Sequence, residues 1–361
     1  MYDVGMAARK PGKKIHAQQD VPRRVTLKFL AEYLQLSTTT VSVVLSDSPL
    51  AMTIAQKTKE RIWAAVEKFQ YRPNMFAQYL HSKRTFSVAV LVPDIGDEYS
   101  SSLISGIERR LSEAGYKYIV ASHRGAPKEI ETSPETLMDR AVEGMIFINT
   151  PLQKRLPIPV VAVSDITTAP GVSRIVIDND RAIWLGLSHL KQLGHKRIAF
   201  FKGPDHNGDT EMRWKAVLEN SEKFGLEVER ELTVQLGTYP EVNESTVSHH
   251  GYAAAMTLLK RTRSFTALMA FNDGSAIGAI RAFQDAGLSV PNAVSVIGID
   301  DVPLGEFIYP RLTTVRQPLE QMGQLAASTL LDRINGMTVL EETKVLPELI
   351  VRESTAPQRY R

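Results

Sequence analysis

The spacing of apolar positions changes once along the chain, near residue 86, and separates two kinds of segment. Ahead of that point the apolar residues recur at helical intervals over short stretches. VTLKFLAEYLQL puts Leu27, Leu30, Ala31 and Leu34 on one face, with Thr26 placed as N-cap. STTTVSVVLS follows after a very short turn, with Ser37 as N-cap and Val41, Val44 and Leu45 turned inward. Two amphipathic helices this close together predict a helix-turn-helix. A third helix, from about Thr53 to Phe69, presents Ile54, Ile62, Ala65, Val66 and Phe69 to the same core. Tyr71-Arg72-Pro73-Asn74 ends it, and Met75 to Leu80 can form one or two further turns.

Beyond Phe86, near-continuous Val, Ile, Ala and Phe runs alternate with longer amphipathic helices. Strands are expected in SVAVLVPD, YKYIVAS, GMIFIN, PVVAVSD, RIAFFKG, TALMAFND and VSVIGIDD. Runs without a polar face indicate strands covered on both sides, as in parallel sheets. Helices are expected from Leu103 to Ala114, Ala182 to Leu193, Tyr252 to Lys260 and Ser275 to Ala286. This alternation predicts an α/β body, large enough for two lobes, with ligands at the carboxyl ends of its strands.

Charge sharpens the division. Residues 1–85 hold 14 Lys and Arg against 6 Asp and Glu, a net +8, while the remaining residues sum to −5. A basic head on a slightly acidic body fits a nucleic-acid-binding module, because phosphate neutralisation needs clustered cations; a solvated basic tail is the bland alternative. Residues 1–24 lack apolar period and read as a flexible basic arm. The chain of 361 residues has no cysteine, which removes disulfides, thiol nucleophiles and cysteine-ligated metals. No apolar run approaches a membrane span, and the polar, basic start is unlike a secretion signal, so a cytoplasmic protein is expected. The eight histidines show no metal-ligand spacing. His249-His250 is expected to be exposed at a helix start, and His195 to mark a helix end. Phosphate loops of the dinucleotide or Walker type are absent, and no Ser/His/Asp set can be argued, so no cofactor and no enzymatic activity are expected.

The motifs VTLKFLAEYLQLSTTTVSVVLS, YRPN followed by A-x-x-L, GHKRIAF, SVIGIDD and LTTVRQPLEQMG, in that order, resemble the lactose-repressor (LacI/GalR) family of bacterial transcription regulators from about Val25 to Pro357. The resemblance implies a helix-turn-helix head over residues 25–72, a hinge helix and linker over 73–85, and a periplasmic-binding-protein-like body over 86–361. Of the body, about 86–178 and 316–342 would form one lobe and about 179–315 and 343–361 the other, with parallel sheets in both.

In that family the second helix enters the major groove, which would present Thr38, Thr39 and Ser42 to base edges and phosphates, flanked by Thr26, Ser37, Thr40, Val43 and Tyr71. Three residues depart from the family pattern. Val43 stands where an arginine is usual and cannot make that residue's bidentate contact with guanine, which implies a shifted operator half-site. Gln35 stands in place of a common glycine, and a left-handed backbone there would cost about 1 kcal/mol. Phe29 replaces a common aspartate. The last two imply a slightly re-angled first helix, the alternative being a head with weak DNA binding. Within the hinge, the spacing Asn74, Ala77, Leu80 resembles helices that pair in the minor groove, where Leu80 would part the central base step. Such pairing requires a homodimer on double-stranded operator DNA. The closing APQRYR offers no leucine heptad for a tetramer.

By the same resemblance, Asp165, Arg213, Asn272 and Asp300 would line an effector cleft between the lobes, with the Tyr99 ring covering an apolar face of the ligand. Their donors and acceptors suit a sugar or sugar derivative. Asp273 and Asp301 are better read as helix caps. The expected function is a DNA-binding transcriptional regulator, in all expectation a repressor, controlled by a small effector. A solute-binding protein for sugars shares the body but has no use for the head, and a cytosolic α/β sugar enzyme with a fused helical domain requires a reactive constellation.

Overall fold

The computed structural model describes residues 25–45, 49–71, 84–152, 154–163, 167, 169–205, 209–237 and 246–358. They fall into two compact units, divided between Thr85 and Phe86.

In the first unit, α1 (Leu27–Leu34), α2 (Thr38–Leu45) and α3 (Gln56–Lys68) enclose a small core of Leu30, Ala31, Leu34, Val41, Val44, Ile62 and Ala65. Thr26 caps α1 by accepting from Phe29 N, and Ser37 caps α2 by accepting from Thr40 N at 3.0 Å. α1 closes through Gln35 in the left-handed region (φ 57°, ψ 42°), where Leu36 N donates to Ala31 O at 2.9 Å. Arg61 of α3 satisfies another orphan carbonyl there, donating to Leu34 O at 3.0 Å. Phe29 takes part in packing: its ring meets Phe69 edge-on at 5.2 Å, and Tyr33 does the same at 4.7 Å. Lys68 lies over the Tyr33 and Phe69 rings and donates to the Tyr33 hydroxyl at 2.8 Å. α3 starts later than its apolar pattern suggests, because a 3-10 turn occupies Pro49–Thr53.

The second unit is built on two six-stranded sheets. The first contains β1 (Ser87–Val92), β2 (Lys117–Ser122), β3 (Met145–Ile148), β4 (Val160–Val163), β5 (Ser173–Ile177) and β11 (Glu342–Val345), in the order β11-β5-β4-β3-β1-β2, all parallel. The second contains β6 (Ile198–Lys202), β7 (Thr233–Gln235), β8 (Ala267–Met269), β9 (Ser295–Asp300), β10 (Thr313–Arg316) and β12 (Glu348–Ile350), in the order β12-β10-β9-β8-β6-β7, with only β12 antiparallel. The chain passes between the sheets after Ile177, after Arg316 and after Val345. β11 therefore keeps residues 343–345 in the first lobe, and the last return lies beyond Val345 rather than at 343.

Helices cover both faces. α4 (Glu98–Glu113) and α10 (Leu319–Ile334) lie on the first sheet, and α5 (Pro127–Met138) lies beside β1. α6 (Asn179–Gln192) and α7 (Asp209–Phe224) cover one face of the second sheet, while α8 (Val247–Arg261) and α9 (Asp273–Asp285) cover the other. The α4–α10 pair crosses at backbone contact. A Cβ on Gly106 would lie 2.0 Å from Glu320 O, and one on Gly323 would lie 2.1 Å from Leu103 O, so larger residues at either position would force the helices apart. No described helix is long and apolar enough to cross a membrane.

Candidate functional site

On the head, Thr38 and Thr39 open α2 and are exposed, Thr40 is half-buried against Ser37 (Oγ–Oγ 2.8 Å), and Ser42 and Val43 are half-buried further along. Thr26 and Ser37 are exposed at the two caps. Together they bring hydroxyls and one branched apolar side chain onto the second helix of the helix-turn-helix. Tyr71 is the exception, because it is 9% exposed and belongs to the head core, where burial raises its hydroxyl pKa. Its ring holds the head together rather than forming a reading surface. Asn74, Ala77 and Leu80 lie outside the described residues.

The body contains a partly open cavity of about 130 Å³ at the carboxyl ends of strands from both sheets. Pro93 and Asp94 follow β1, Asn149 follows β3, Phe271 and Asn272 follow β8, and Asp300 ends β9. Tyr99 enters from the first turn of α4 and Arg213 from α7. Four expected residues therefore meet in one place: Tyr99, Arg213, Asn272 and Asp300. The fifth, Asp165, lies outside the described residues.

Arg213 is the fixed point of this cavity. It is 4% exposed, and its buried guanidinium is engaged by neighbours on several sides. Its Nε donates to Asn179 Oδ1 at 3.1 Å, Nη1 donates to Phe271 O at 2.6 Å, and Nη2 lies 3.7 Å from Asp209 Oδ2. The plane stacks on the Phe271 ring at 4.6 Å. Asn179 Nδ2 in turn donates to Asp209 Oδ1 at 3.2 Å. Glu211, on the same helix, pairs instead with Lys202 at 2.9 Å.

Asp300 has a left-handed backbone (φ 129°) at the end of β9 and accepts from Gln317 Nε2 at 2.6 Å. Burial, reinforced by the carboxylate of Asp273, holds its pKa well above the usual range. Burial also raises Asp97, whose oxygens accept from Tyr99 N at 3.0 Å and Ser100 Oγ at 2.9 Å and so cap α4. The Tyr99 hydroxyl is pushed well above its ordinary value, chiefly by burial. His123 accepts from Gly125 N at Nδ1 (3.1 Å), which leaves Nε2–H to donate to Thr150 Oγ1 at 3.0 Å.

Several sequence expectations change at this level. His250 is 5% exposed and lines the cavity, while only His249 is exposed, because α8 packs on α9 along the face that carries His250. His195 follows a helix end as expected, but its ring is buried: Nε2 donates to Ala356 O at 3.1 Å, so Nδ1 accepts from Thr266 Oγ1 at 2.9 Å. Asn272, and not Asp273, caps α9, with Oδ1 accepting from Ser275 N at 2.9 Å. Asp273 instead ties three segments together, accepting from Thr314 Oγ1 at 2.6 Å and Val302 N at 3.0 Å. Asp301 caps no helix either, and pairs with Arg316 and Arg352 at 2.6 Å each. Asn179 and Gln317 were not singled out from sequence. Asn179 and Gln317 carry a topological signal, since each begins the segment after a passage between sheets.

Comparison with known proteins places this geometry. Residues 26–74 match the family model "Bacterial regulatory proteins, lacI family", and residues 187–355 match a periplasmic binding protein-like domain. The HTH-type transcriptional regulator DegA of Bacillus subtilis is 30% identical over 345 residues, covering 92% of this chain and 99% of DegA. The chain belongs to the lacI family of bacterial regulatory proteins. A lac repressor dimer solved with operator and the anti-inducer ONPF superposes with a TM-score of 0.80 at 25% identity, covering 92% of this chain and all of that one. A lacI-family regulator from Enterococcus faecium with bound ribose superposes at 0.65 and 25% identity, over 76% of this chain and all of that one. This lacI-family member is a DNA-binding transcriptional regulator, and its relatives are regulators rather than enzymes.

Proposed function

We propose that the regulator binds operator DNA as a cytoplasmic homodimer and that a sugar-like effector in the body cavity sets its operator affinity. The observation that carries the effector half is the cavity itself, a largely apolar cleft at the strand ends of both sheets on which Arg213, Asn272 and Asp300 converge as polar groups. Its 130 Å³ is comparable to the roughly 150 Å³ void that accepts one small ring in an engineered core. The ribose held by the Enterococcus faecium relative supports the same size class. Arg213 and Asp300 then supply the fixed donor and acceptor, Asn272 and Tyr99 the adaptable contacts, and Asp165 a further acceptor. Because both sheets contribute, an occupied cavity favours one spacing of the lobes, which is a differential affinity for two body conformations.

For the head, Thr38, Thr39 and Ser42 read base edges and phosphates, with Thr26, Ser37 and Thr40 holding the caps and Val43 contacting thymine methyls. Asn74, Ala77 and Leu80 serve the paired hinge. Fluorescence anisotropy of the full chain on genomic fragments, with and without a sugar panel, tests the whole reading. A discrete fragment should be bound with a steep salt dependence, and at least one sugar should shift the midpoint. A monomer that binds no fragment under any of these conditions overturns it.

A further inference from the structure

Carboxyl groups from both lobes meet at the cavity. The first lobe brings Asp94 and Asp97, and the second brings Asp209 and Asp300. Asp273, fully buried, acts on Asp300 from within the second lobe, while the adjoining Asp301 is paired with Arg316 and Arg352. Three basic side chains line the same walls. Arg213 is engaged with Asn179, the Phe271 carbonyl and Asp209. His123 accepts at Nδ1 from Gly125 N, the pattern of a neutral ring, and His250 faces the cavity from α8.

The lobes also touch across the mouth of the cleft. Glu98, beside Asp97 in the first turn of α4, reaches the 3-10 turn Pro303–Glu306 of the second lobe, where its carboxylate accepts from Leu304 N at 3.4 Å. Loss of water raises the Glu98 carboxyl above its usual range, and the neighbouring Asp97 adds to the effect. Burial raises Asp97 as well, although its oxygens accept from Tyr99 N, Ser100 N and Ser100 Oγ. Asp97 contributes in turn to the elevation of Asp300 on the opposite lobe. The helix starts at Asp97, Asp209, Val247 and Asn272 and the guanidinium of Arg213 favour ionised carboxylates. For Asp97 and Asp300 the net direction is nevertheless upward.

Separating the lobes would return water to Asp97, Glu98 and Asp300 and move like charges apart. Bringing the lobes together does the opposite, and carboxylates that share a poorly hydrated site resist ionising together.

We propose that lobe closure is proton-linked: the cleft shuts when Asp97 and Glu98 of one lobe and Asp300 of the other hold protons, opens as they ionise, and so makes the regulator's body sensitive to pH. The inference rests on the two lobe spacings of the effector reading and adds the proton as a second ligand of the same cleft. Each of the three carboxyls binds its proton more tightly in the closed form than in the open one. Their support for closure is therefore complete below the solvated values, 3.8 for aspartate and 4.5 for glutamate, and is lost as pH rises through the elevated closed-form values.

The test uses the absence of cysteine from the chain. Lys128→Cys on α5 and Met212→Cys on α7, exposed neighbours of the lining residues Ile130 and Arg213, give one pair of spin labels per protomer, one on each lobe. Pulsed electron paramagnetic resonance of the full-length labelled protein, diluted with unlabelled chain, should show a closed-to-open ratio at least about tenfold higher at about pH 5 than at about pH 8. Asp300→Asn, which keeps an acceptor for Gln317, and Asp97→Asn, which keeps one for the Tyr99 amide, should each raise the closed population at about pH 8 and flatten the profile. His123→Gln and His250→Gln should leave the profile in place. A constant ratio, a closed population that grows with pH, or a profile that survives both asparagine variants and vanishes with either histidine overturns the inference. The wild-type titration decides even where an asparagine variant fails to fold. The effector reading is judged separately by the sugar panel: a flat pH profile with a sugar response leaves it standing, and an intact profile with no sugar response overturns it alone.

Discussion

Arg213 Nε donates to Asn179 Oδ1 at 3.1 Å, and Asn179 is the first helical residue after the chain's first passage between the two sheets. The most constrained side chain of the cavity is thereby tied to a segment that must adjust when the lobes change spacing. Asn179→Ala removes the acceptor of Arg213 Nε and one of the donors to Asp209. The expected cost is about 1–3 kcal/mol in chemical denaturation. Calorimetry should also show weaker effector binding, with unliganded operator affinity unchanged.

Asp273 gives the body a pH-dependent stability with a definite sign. Burial pushes its carboxyl up to about 7, whereas a solvated aspartate titrates near 3.8. Between these values the folded chain holds a proton that the unfolded chain has released. Its contribution is therefore complete below about 3.8, declines as pH rises towards about 7, and is level above that. Asp273→Asn keeps a hydrogen-bonding side chain and removes the titration. The melting temperature of the wild type relative to this variant should fall between about pH 4 and about pH 7. A constant difference over that range contradicts the assignment.

Val43→Arg should install the planar fork that matches guanine. Selection on randomised half-sites should then show a new guanine preference at one position, worth about 1–3 kcal/mol of discrimination. Identical preferences for wild type and variant would remove Val43 from the reading surface.

Gln35 occupies a left-handed conformation (φ 57°) that costs a residue with a Cβ about 1 kcal/mol. Gln35→Gly should therefore slow hydrogen exchange across α1–α3 by roughly fivefold, leaving exchange in the body unaltered.

The residues that were legible in advance are those whose local chemistry and long-range role coincide. Val88 to Val92 reads as a buried strand because five consecutive apolar residues have no polar face to offer, and all five are buried. Arg213 and Asp300 follow family motifs and do meet in the cavity. β5, β7, β10, β11 and β12 were not anticipated, since ETKV and TVQ carry too few apolar residues to announce a strand, and their pairing is fixed by neighbours distant in sequence. α5 was hidden by Pro134 in its interior, although Pro127 at its start suits the first turn. The burial of His250 depends on the α8–α9 contact, where a Cβ on Gly251 would lie 2.2 Å from Ser275 O. A single helix's sequence does not contain that distance.

The threefold passage between sheets bears on how the molecule is made. β11 completes the first sheet only at Glu342–Val345, and β12 completes the second only at Glu348–Ile350. Ser354 then bridges strands of the second sheet, its hydroxyl donating to Val296 O and accepting from Thr313 N. On the ribosome, both lobes wait for the same late stretch, so neither can mature as a finished unit while the other is being synthesised. A nascent polypeptide halted before residue 340 would expose open edges on both sheets at once, which marks this interval as the one in which chaperone protection matters most.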